Sequence, residues 1–242
     1  MKVAVDQPNY IPWKGYFELI HDVDLFVFYT DVQYTTRDWR NRNRIPTQHG
    51  LLWLTVPVGH DTQRLICDVA IPDPSWQTKH FEILRHTYAH APFFGKYRTF
   101  LEETYLKRIW VSLLDLDRFL IERIAHDFLG IRTVFADSRD FSTSGVKHER
   151  LLNLLSSIGA TAYESGPAAK DYIVPADYAS RGIELSWKSY DGYPPYPQDN
   201  GPFTHFVSIL DLLFQVGDDA PYYIWGWREK TGVPSWIPQE TT

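Results

Sequence analysis

Polar and aromatic side chains follow the first two apolar runs of this chain, at 2–5 and 24–29. They are Gln7, Asn9, Tyr10 and Trp13 after the first run, and Asp31 and Gln33 after the second. Ligands of open α/β sheets bind at the carboxyl ends of strands, where such side chains offer hydrogen bonds and stacking surfaces. The pattern therefore predicts a small-molecule site formed by the amino-terminal third of the chain.

An arginine-rich segment follows at 37–44. It contains Arg37, Arg40, Arg42 and Arg44 and no lysine. A guanidinium can hold a carboxylate or phosphate through two parallel hydrogen bonds, which a lysine cannot do. Because the formal net charge of the chain is −6, this local positive charge predicts an anion site, with Arg42 and Arg44 as the candidate ligands. The structural alternative is a solvated loop in which Arg44 pairs with an acidic side chain.

Two further features could contribute polar groups to a site. A turn at 165–167 follows a short apolar run, and the backbone N–H groups of Ser165 and Gly166 could bind an oxyanion. Asp211 interrupts an otherwise apolar helix predicted at 206–216, and a buried carboxylate needs a charged or hydrogen-bonding partner. That partner is either one of the arginines at 37–44 or a ligand.

Acid–base and metal chemistry have few candidates. His80, on a helix predicted at 76–89, could act as a general base because imidazole titrates near neutrality. His86 and His90 are four residues apart, but no third ligand follows at a recognisable spacing, so we predict no metal site and no cofactor. A hydrolase using Ser165 or Cys67 is a weaker hypothesis, since no G-x-S-x-G motif is present and Cys67 lies in a strand-like run.

Composition limits the class of protein. Hydrophobic residues make up 44% of the 242 residues and charged residues 22%, as in ordinary globular proteins. The net charge of −6 argues against a general nucleic-acid-binding role. The single Cys excludes an intrachain disulfide. There is no secretory segment and no apolar stretch of membrane-spanning length, so we expect a soluble cytoplasmic protein.

The elements that position these residues alternate between strands and helices. Apolar runs predict strands at 2–5, 24–29, 131–136, 161–164 and 182–190; apolar periodicity predicts helices at 13–21, 76–89, 95–110, 112–129, 146–158 and 206–216. The runs 51–58 and 64–71 predict a β-hairpin. This order predicts an α/β fold with a mostly parallel sheet flanked by helices, a β-hairpin and a helical insertion at about 75–130, all in one domain over 1–242.

Several spaced motifs resemble the WbqC-like protein family over nearly the whole chain. They are 7–13 with Gly15 and Phe17, 24–27, 31–34, 42–45, 53–58, His80, Tyr88, 163–167, 196–198 and 208–214. The family is associated with gene clusters for cell-surface polysaccharides and unusual amino sugars. The resemblance therefore implies a cytoplasmic role in glycan assembly.

Two positions depart from the pattern of that family. Asp6 stands where the family often has His, and Gln215 stands where it usually has Asn. If the family's His is a base, then Asp6 has to replace it. Gln215 keeps the amide but moves it by one methylene, which is enough to alter a tight contact.

The residues and the resemblance together imply a transferase that moves an acyl or aminoacyl group onto a nucleotide-linked sugar or a related anionic metabolite. The implied roles are an anion site at Arg42 and Arg44, orientation of hydroxyls or of an amine by Gln7, Asn9, Asp31 and Gln33, and proton acceptance by His80 or Asp6. The alternative is a non-catalytic binding or scaffold protein of a glycan-assembly pathway. The oligomeric state stays open, as does the role of Trp225, Trp227 and Trp236.

Overall fold

The structure is a computed structural model that describes residues 1–171 and 173–234. Its strands are β1 (Lys2–Asp6), β2 (Leu25–Phe28), β3 (Arg42–Thr47), β4 (Gly50–Thr55), β5 (Val134–Asp137), β6 (Ala162–Ser165) and β7 (Glu184–Trp187). Five of them form a parallel sheet in the order β5-β2-β1-β6-β7. The predicted α/β class with a parallel sheet is confirmed.

The strand order reverses direction at β1. The chain passes from β1 to β2 on one side, and it later returns from β5 to the other side of β1 as β6. Val3 accordingly pairs with Leu25 of β2 and with Tyr163 of β6. A reversal of this kind opens a crevice outside the carboxyl ends of the two diverging strands. Asp6 and Ser165 stand at those two ends.

Helices cover both faces of the sheet. They are α1 (Lys14–His21), α2 (Trp76–Thr87), α3 (Phe94–Glu102), α4 (Leu113–Arg123), α5 (Lys147–Ile158), α6 (Pro175–Ser180), α7 (Ile209–Val216) and α8 (Trp227–Glu229). Alternate strand residues enter two cores: Phe26 packs with α1 to α4 and α7, whereas Val27 packs with α5 and α6. No helix among the described residues has the length and apolar character needed to cross a membrane.

The predicted helical insertion is formed by α2, α3 and α4, and its ends follow local chemistry. The hydroxyl of Ser112 caps α4 by accepting a hydrogen bond from the Asp115 N–H at 3.2 Å. Wider helical turns extend α3 to Lys107 and α4 to Phe128. Helix α7 begins at Ile209, later than predicted, because the Ser208 hydroxyl caps it through the Leu210 N–H.

An antiparallel hairpin is present, and it pairs Arg42–Thr47 with Gly50–Thr55. The predicted strand at 51–58 coincides with β4, but the prediction of its partner at 64–71 was wrong. The segment 64–71 pairs with loops instead, and a single short helical turn, Ile66–Asp68, interrupts it. The prediction failed because β3 reads Arg-Asn-Arg-Ile-Pro-Thr and so carries almost no apolar alternation.

Candidate functional site

The crevice at the strand reversal brings together the ends of β1 and β6 and the start of α1. Tyr190 lies among them. Its hydroxyl is 3.9 Å from the position that a Cβ on Gly166 would occupy, and its ring centroid is 5.0 Å from that of Trp13. Burial, with the nearby charge of Asp6 adding to it, raises the pKa of Tyr190. Three residues singled out from the sequence, Asp6, Trp13 and Gly166, therefore lie around one tyrosine that was not singled out.

A cleft of about 260 Å³ shares Trp13 with this crevice. It is lined by Asn9, Pro12, Trp13, Trp39, Asn43, Arg44 and Phe206. A side chain of β3 holds the loop that lines the cleft. The Asn43 side-chain amide donates hydrogen bonds to the backbone carbonyl oxygens of Tyr10 at 3.3 Å and Ile11 at 2.8 Å. The Tyr10 N–H in turn donates to the Trp39 carbonyl oxygen at 3.0 Å. The loop after β1 is thus tied to the start of β3.

Aromatic rings and one guanidinium form the walls of the cleft. The ring centroids of Trp13 and Phe206 are 5.7 Å apart, and those of Trp39 and Trp53 are 5.4 Å apart. The Arg44 guanidinium lies 5.7 Å from the centroids of both Trp39 and Trp53. Its Nε donates to the Phe206 carbonyl oxygen at 2.8 Å. Arg44 has no ion-pair partner among the described residues, so its terminal nitrogens can serve an anion.

Two amide oxygens at the end of β1 lack partners. Gln7 Oε1 and Asn9 Oδ1 are buried, and neither accepts a hydrogen bond from the described part of the chain. A buried acceptor without a donor costs free energy, roughly 1–3 kcal/mol. Both oxygens are therefore available to donors of a bound molecule, such as hydroxyl or amine groups.

Charged side chains lie behind the end of β1. The Asp6 carboxylate accepts a hydrogen bond from the Gln7 N–H at 2.7 Å, and burial raises its pKa against the opposing effect of Arg40. Arg40 pairs with Asp38 at 3.1 Å. Burial raises the pKa of Asp117, on α4, well above its ordinary value, with Arg40 again opposing. Neither carboxyl oxygen of Asp117 has a hydrogen-bond partner among residues 1–171 and 173–234.

Asp117 was missed in the sequence, although a signal existed. Leu113 and Ile121 belong to the apolar face of α4, and Asp117 lies four residues from each of them. Positions four apart share a helix face, so the periodicity alone places this carboxylate on the buried side. Arg40 lay inside the arginine-rich segment, but nothing in its type separated it from Arg42 or Arg44.

His80, a predicted base, lies in the helical core on α2. Its Nδ1 is 2.8 Å from the Tyr10 hydroxyl, which also contacts the Tyr105 hydroxyl at 2.7 Å. Burial lowers the pKa of His80 to about 4. The imidazole is therefore uncharged at neutral pH, and both it and Tyr10 lie beneath the cleft rather than in its lining.

Asp31 and Gln33 lie apart from the cleft. Asp31 accepts a hydrogen bond from the Ser138 hydroxyl at 2.6 Å and forms an ion pair with Arg150 of α5. Gln33 Nε2 donates to the Thr62 carbonyl oxygen at 3.1 Å. The two side chains thus tie the exit of β2 to neighbouring segments, and the structure does not bring them together with Arg44.

Asp211 is engaged inside the protein. Its carboxylate accepts hydrogen bonds from Tyr88 Oη at 2.8 Å, Tyr196 Oη at 2.7 Å and Gln198 Nε2 at 2.6 Å. Burial raises its pKa and these three donors oppose the rise. The partner expected for this buried carboxylate is therefore a polar network that joins α7 to α2 and to the loop before it, and not an arginine.

The two candidate nucleophiles have different surroundings. Ser165 is buried, and its Oγ accepts a hydrogen bond from the Tyr163 hydroxyl at 3.3 Å. Cys67 lies in a short helical turn and is half-buried. Burial and the adjacent Asp68 raise the pKa of its thiol, so the protonated, less nucleophilic form is favoured at neutral pH.

Lys14, which the sequence analysis did not single out, is buried behind the Trp13 wall. Its Nζ donates to the Tyr223 carbonyl oxygen at 3.0 Å and lies 4.3 Å from the Tyr193 ring centroid. Burial lowers its pKa to about 7. The sequence signal for Lys14 was its position as a polar residue at the start of an apolar helix.

The tryptophans near the carboxyl end pack on the fold where they are described. Trp225 stacks on His21 with ring centroids 4.0 Å apart. Trp227 lies 4.3 Å beneath the Arg228 guanidinium. Trp236 lies outside the described residues.

These features define an α/β protein with a crevice at the carboxyl edge of a parallel sheet and an aromatic, arginine-bearing cleft beside it. The chain belongs to the WbqC-like protein family, which it matches over residues 7–223. The uncharacterized protein Rv1507c of Mycobacterium tuberculosis (strain ATCC 25618 / H37Rv) is 45% identical to it over 226 residues, which cover 92% of this chain and 97% of that relative. No solved structure matches the chain.

Proposed function

We propose that this protein is a cytoplasmic transferase of surface-glycan or amino-sugar assembly. It would bind a nucleotide-linked sugar or a related anionic metabolite in the cleft and transfer an acyl or aminoacyl group to an amine of that ligand. The observation that carries the proposal is an arginine without an ion-pair partner among the described residues, set between aromatic walls in a cleft that is also lined by Asn9, whose side-chain oxygen has no hydrogen-bond partner in the described chain.

The cleft suits a ligand that combines a ring with a negative charge. Trp13, Trp39 and Phe206 offer flat apolar faces, against which the C–H face of a sugar or a base can stack. Arg44 would hold a phosphate or carboxylate through its terminal nitrogens. Asn9 and Gln7 would accept hydrogen bonds from hydroxyl groups or from the reacting amine.

Proton transfer in this proposal falls to Asp6. When an amine bonds to an acyl carbon, its nitrogen must lose a proton while the leaving group takes the electrons of the bond that breaks. A carboxylate whose pKa is raised is a stronger base than an ordinary aspartate. Asp6 has such a pKa, and it stands at the strand end where ligands of this fold class bind. The core position and low pKa of His80 make it the less suitable acceptor.

A non-catalytic binding role has one observation of its own. The side chains of Leu51, Leu52 and Trp53 on β4 are 43%, 39% and 40% exposed, and such a patch suits a protein partner. A binding protein of this kind would show ligand affinity without turnover of any acyl donor.

Thermal-shift screening tests the cleft directly. UDP-N-acetylglucosamine, GDP-mannose, dTDP-glucose and CMP-linked sialic acid are suitable first probes. A probe at a hundred times its Kd should raise the melting temperature by about 5–10 °C for a chain of this size. Arg44→Ala should abolish that shift, because the anion loses its guanidinium, and Arg44→Lys should restore only part of it.

Arg98→Ala is the matched control, because Arg98 is an exposed arginine on α3 that pairs with Glu102, one turn away. It should leave the shift intact. A shift that survives Arg44→Ala at full size would show that the anion is bound elsewhere.

A further inference from the structure

A second cavity adjoins the arginine-bearing strand β3 at Arg42, two residues before the cleft residue Arg44. This groove, of about 510 Å³, runs between the loop before β3 and the segment after β4. The polar side chains that matter here are Thr36, Arg37, Arg42, Thr55 and His60. No carboxylate lines it among the residues that the structure describes, although the chain carries 30 acidic residues.

The arginines of the groove are not neutralised by the protein. Neither Arg37 nor Arg42 has an ion-pair partner within the described ranges, and the same holds for Arg64 nearby. Arg42 uses Nη2 to donate to the Arg37 carbonyl oxygen, while its Nε is buried without a partner in the described chain. One face of its guanidinium lies 4.4 Å from the Trp53 ring centroid. This positive charge is therefore oriented by the fold but not paired by it.

Backbone strain is located at the same place. Arg37 has a φ of +58°, a left-handed conformation that costs a non-glycine residue roughly 1 kcal/mol or more. The hydrogen bond from Arg42 to its carbonyl oxygen holds that conformation. Strain of this kind persists where surrounding contacts fix it, and it is concentrated at ligand sites.

The groove and the cleft are neighbours along β3. Arg42 lines the groove and Arg44 lines the cleft. Two residues of a strand span about 6.6 Å and point to the same side. Both guanidiniums lie against Trp53, at 4.4 Å and 5.7 Å. One extended ligand can therefore contact both cavities across a single tryptophan.

We propose that the groove is a phosphate subsite that binds the diphosphate of a nucleotide-linked ligand whose sugar lies in the cleft. Arg42 and Arg37 supply guanidinium donors, His60 supplies an imidazole nitrogen, and Thr36 and Thr55 supply hydroxyls. A diphosphate needs several charged donors within a few ångströms, and the cleft with Arg44 alone offers one. This inference rests on the proposed function, because it assigns the two parts of one substrate to two cavities.

Isothermal titration calorimetry with inorganic pyrophosphate, UDP, GDP and CDP tests the subsite without a sugar. Wild-type protein should bind at least one of these probes. Arg42→Ala should weaken that binding about tenfold or more, since a charge-assisted contact of this kind is worth about 1.5–3 kcal/mol. Arg37→Gly should weaken it as well. Glycine accepts the positive φ, so this variant removes the exposed side chain without adding strain. Arg98→Ala should have no effect.

The outcomes separate this inference from the proposed function. Loss of pyrophosphate or nucleotide binding in both groove variants, with Arg98→Ala unchanged, supports the subsite. Undiminished binding in both groove variants overturns it. The absence of binding to any probe at about 10 mM also overturns it, because a site with a Kd of about 1 mM would be largely occupied at that concentration. In either of those cases the cleft is judged separately, by whether Arg44→Ala removes the thermal shift caused by a nucleotide sugar.

Discussion

Arg44 differs from the other arginines of its segment in what surrounds it. Arg40 pairs with Asp38, and Arg42 faces the groove, whereas Arg44 lines the cleft with Trp39. Residue type and local density predicted an anion site in this segment. They could not divide the arginines between two cavities and an internal ion pair, because that division depends on partners distant in the chain, such as Phe206.

The aspartates also differ in partners that are distant in the chain. Asp211 accepts hydrogen bonds from Tyr88, Tyr196 and Gln198, and Asp31 contacts Ser138 and Arg150. These contacts within the protein account for both carboxylates without a ligand. Asp117 has no hydrogen-bond donor among the described residues. It lies in a helix that was predicted from its apolar residues. Burial raises the pKa of Asp117 well above its ordinary value and so favours the protonated form, while Arg40 opposes this rise as it does for Asp6.

The pH dependence of stability should report the environment of His80. Its pKa is lowered from 6.5 to about 4 by burial. Between these values the unfolded chain binds a proton that the folded chain excludes, so the free energy of unfolding falls as pH decreases from about 6.5 to 4, by on the order of 3 kcal/mol. His80→Gln keeps a partner for Tyr10 and should remove this part of the pH dependence in urea denaturation at pH 7 and pH 4.5.

His86→Gln, on the exposed side of the same helix, is the control and should keep the wild-type pH dependence. If His80→Gln retains the full wild-type loss between pH 7 and pH 4.5, the imidazole is not excluded from protonation by the fold.

Among the structural elements, the loop between β1 and α1 shapes the cleft. Its composition of Pro, Asn, Tyr and Trp was recognisable from the sequence as unusual for a simple turn. The path of the loop was not recognisable from the sequence, because it depends on hydrogen bonds that the Asn43 side chain of β3 donates to the loop. The hairpin itself was misplaced for a related reason. A strand made of arginines, an asparagine and a proline has no apolar alternation, and only its pairing with β4 reveals it.

Gly15 allows the Trp13 ring to lie against the first turn of α1. A Cβ at this position would be 2.3 Å from a Trp13 ring carbon, so Gly15→Ala must displace the ring from the wall of the cleft. Alanine favours the helix by up to about 1 kcal/mol. The variant should therefore melt close to the wild-type temperature but bind the cleft probes at least several-fold more weakly.

Gly95→Ala provides the matched comparison, because nothing lies within 4 Å of a Cβ there. In isothermal titration calorimetry with the nucleotide-sugar probes, Gly95→Ala should keep the wild-type affinity, whereas Gly15→Ala should lose affinity. Equal affinities for the Gly15→Ala and wild-type proteins would exclude Trp13 as a binding wall.

Over the whole chain, short apolar runs predicted the alternation of strands and helices, and this alternation predicted the parallel sheet. The order of the strands was not readable, because two apolar strands can pair on either side of β1 with similar local patterns. That order places the crevice at Asp6 and Ser165. Near the base of the separate hairpin, Arg37, Arg42 and Arg44 have no ion-pair partner within residues 1–171 and 173–234, in a chain with a net charge of −6.

The most direct test of this account is the response of the tryptophan indole N–H resonances to a nucleotide-sugar probe, with each resonance assigned by single Trp→Phe variants. The account predicts shifts for Trp13 and Trp39, which line the cleft, and for Trp53 beside them. It predicts none for Trp110, which is buried in the helical core, or for Trp225, which stacks on His21. Saturable shifts at Trp110 or Trp225 with Trp13 and Trp39 unmoved would place the ligand elsewhere and contradict the account.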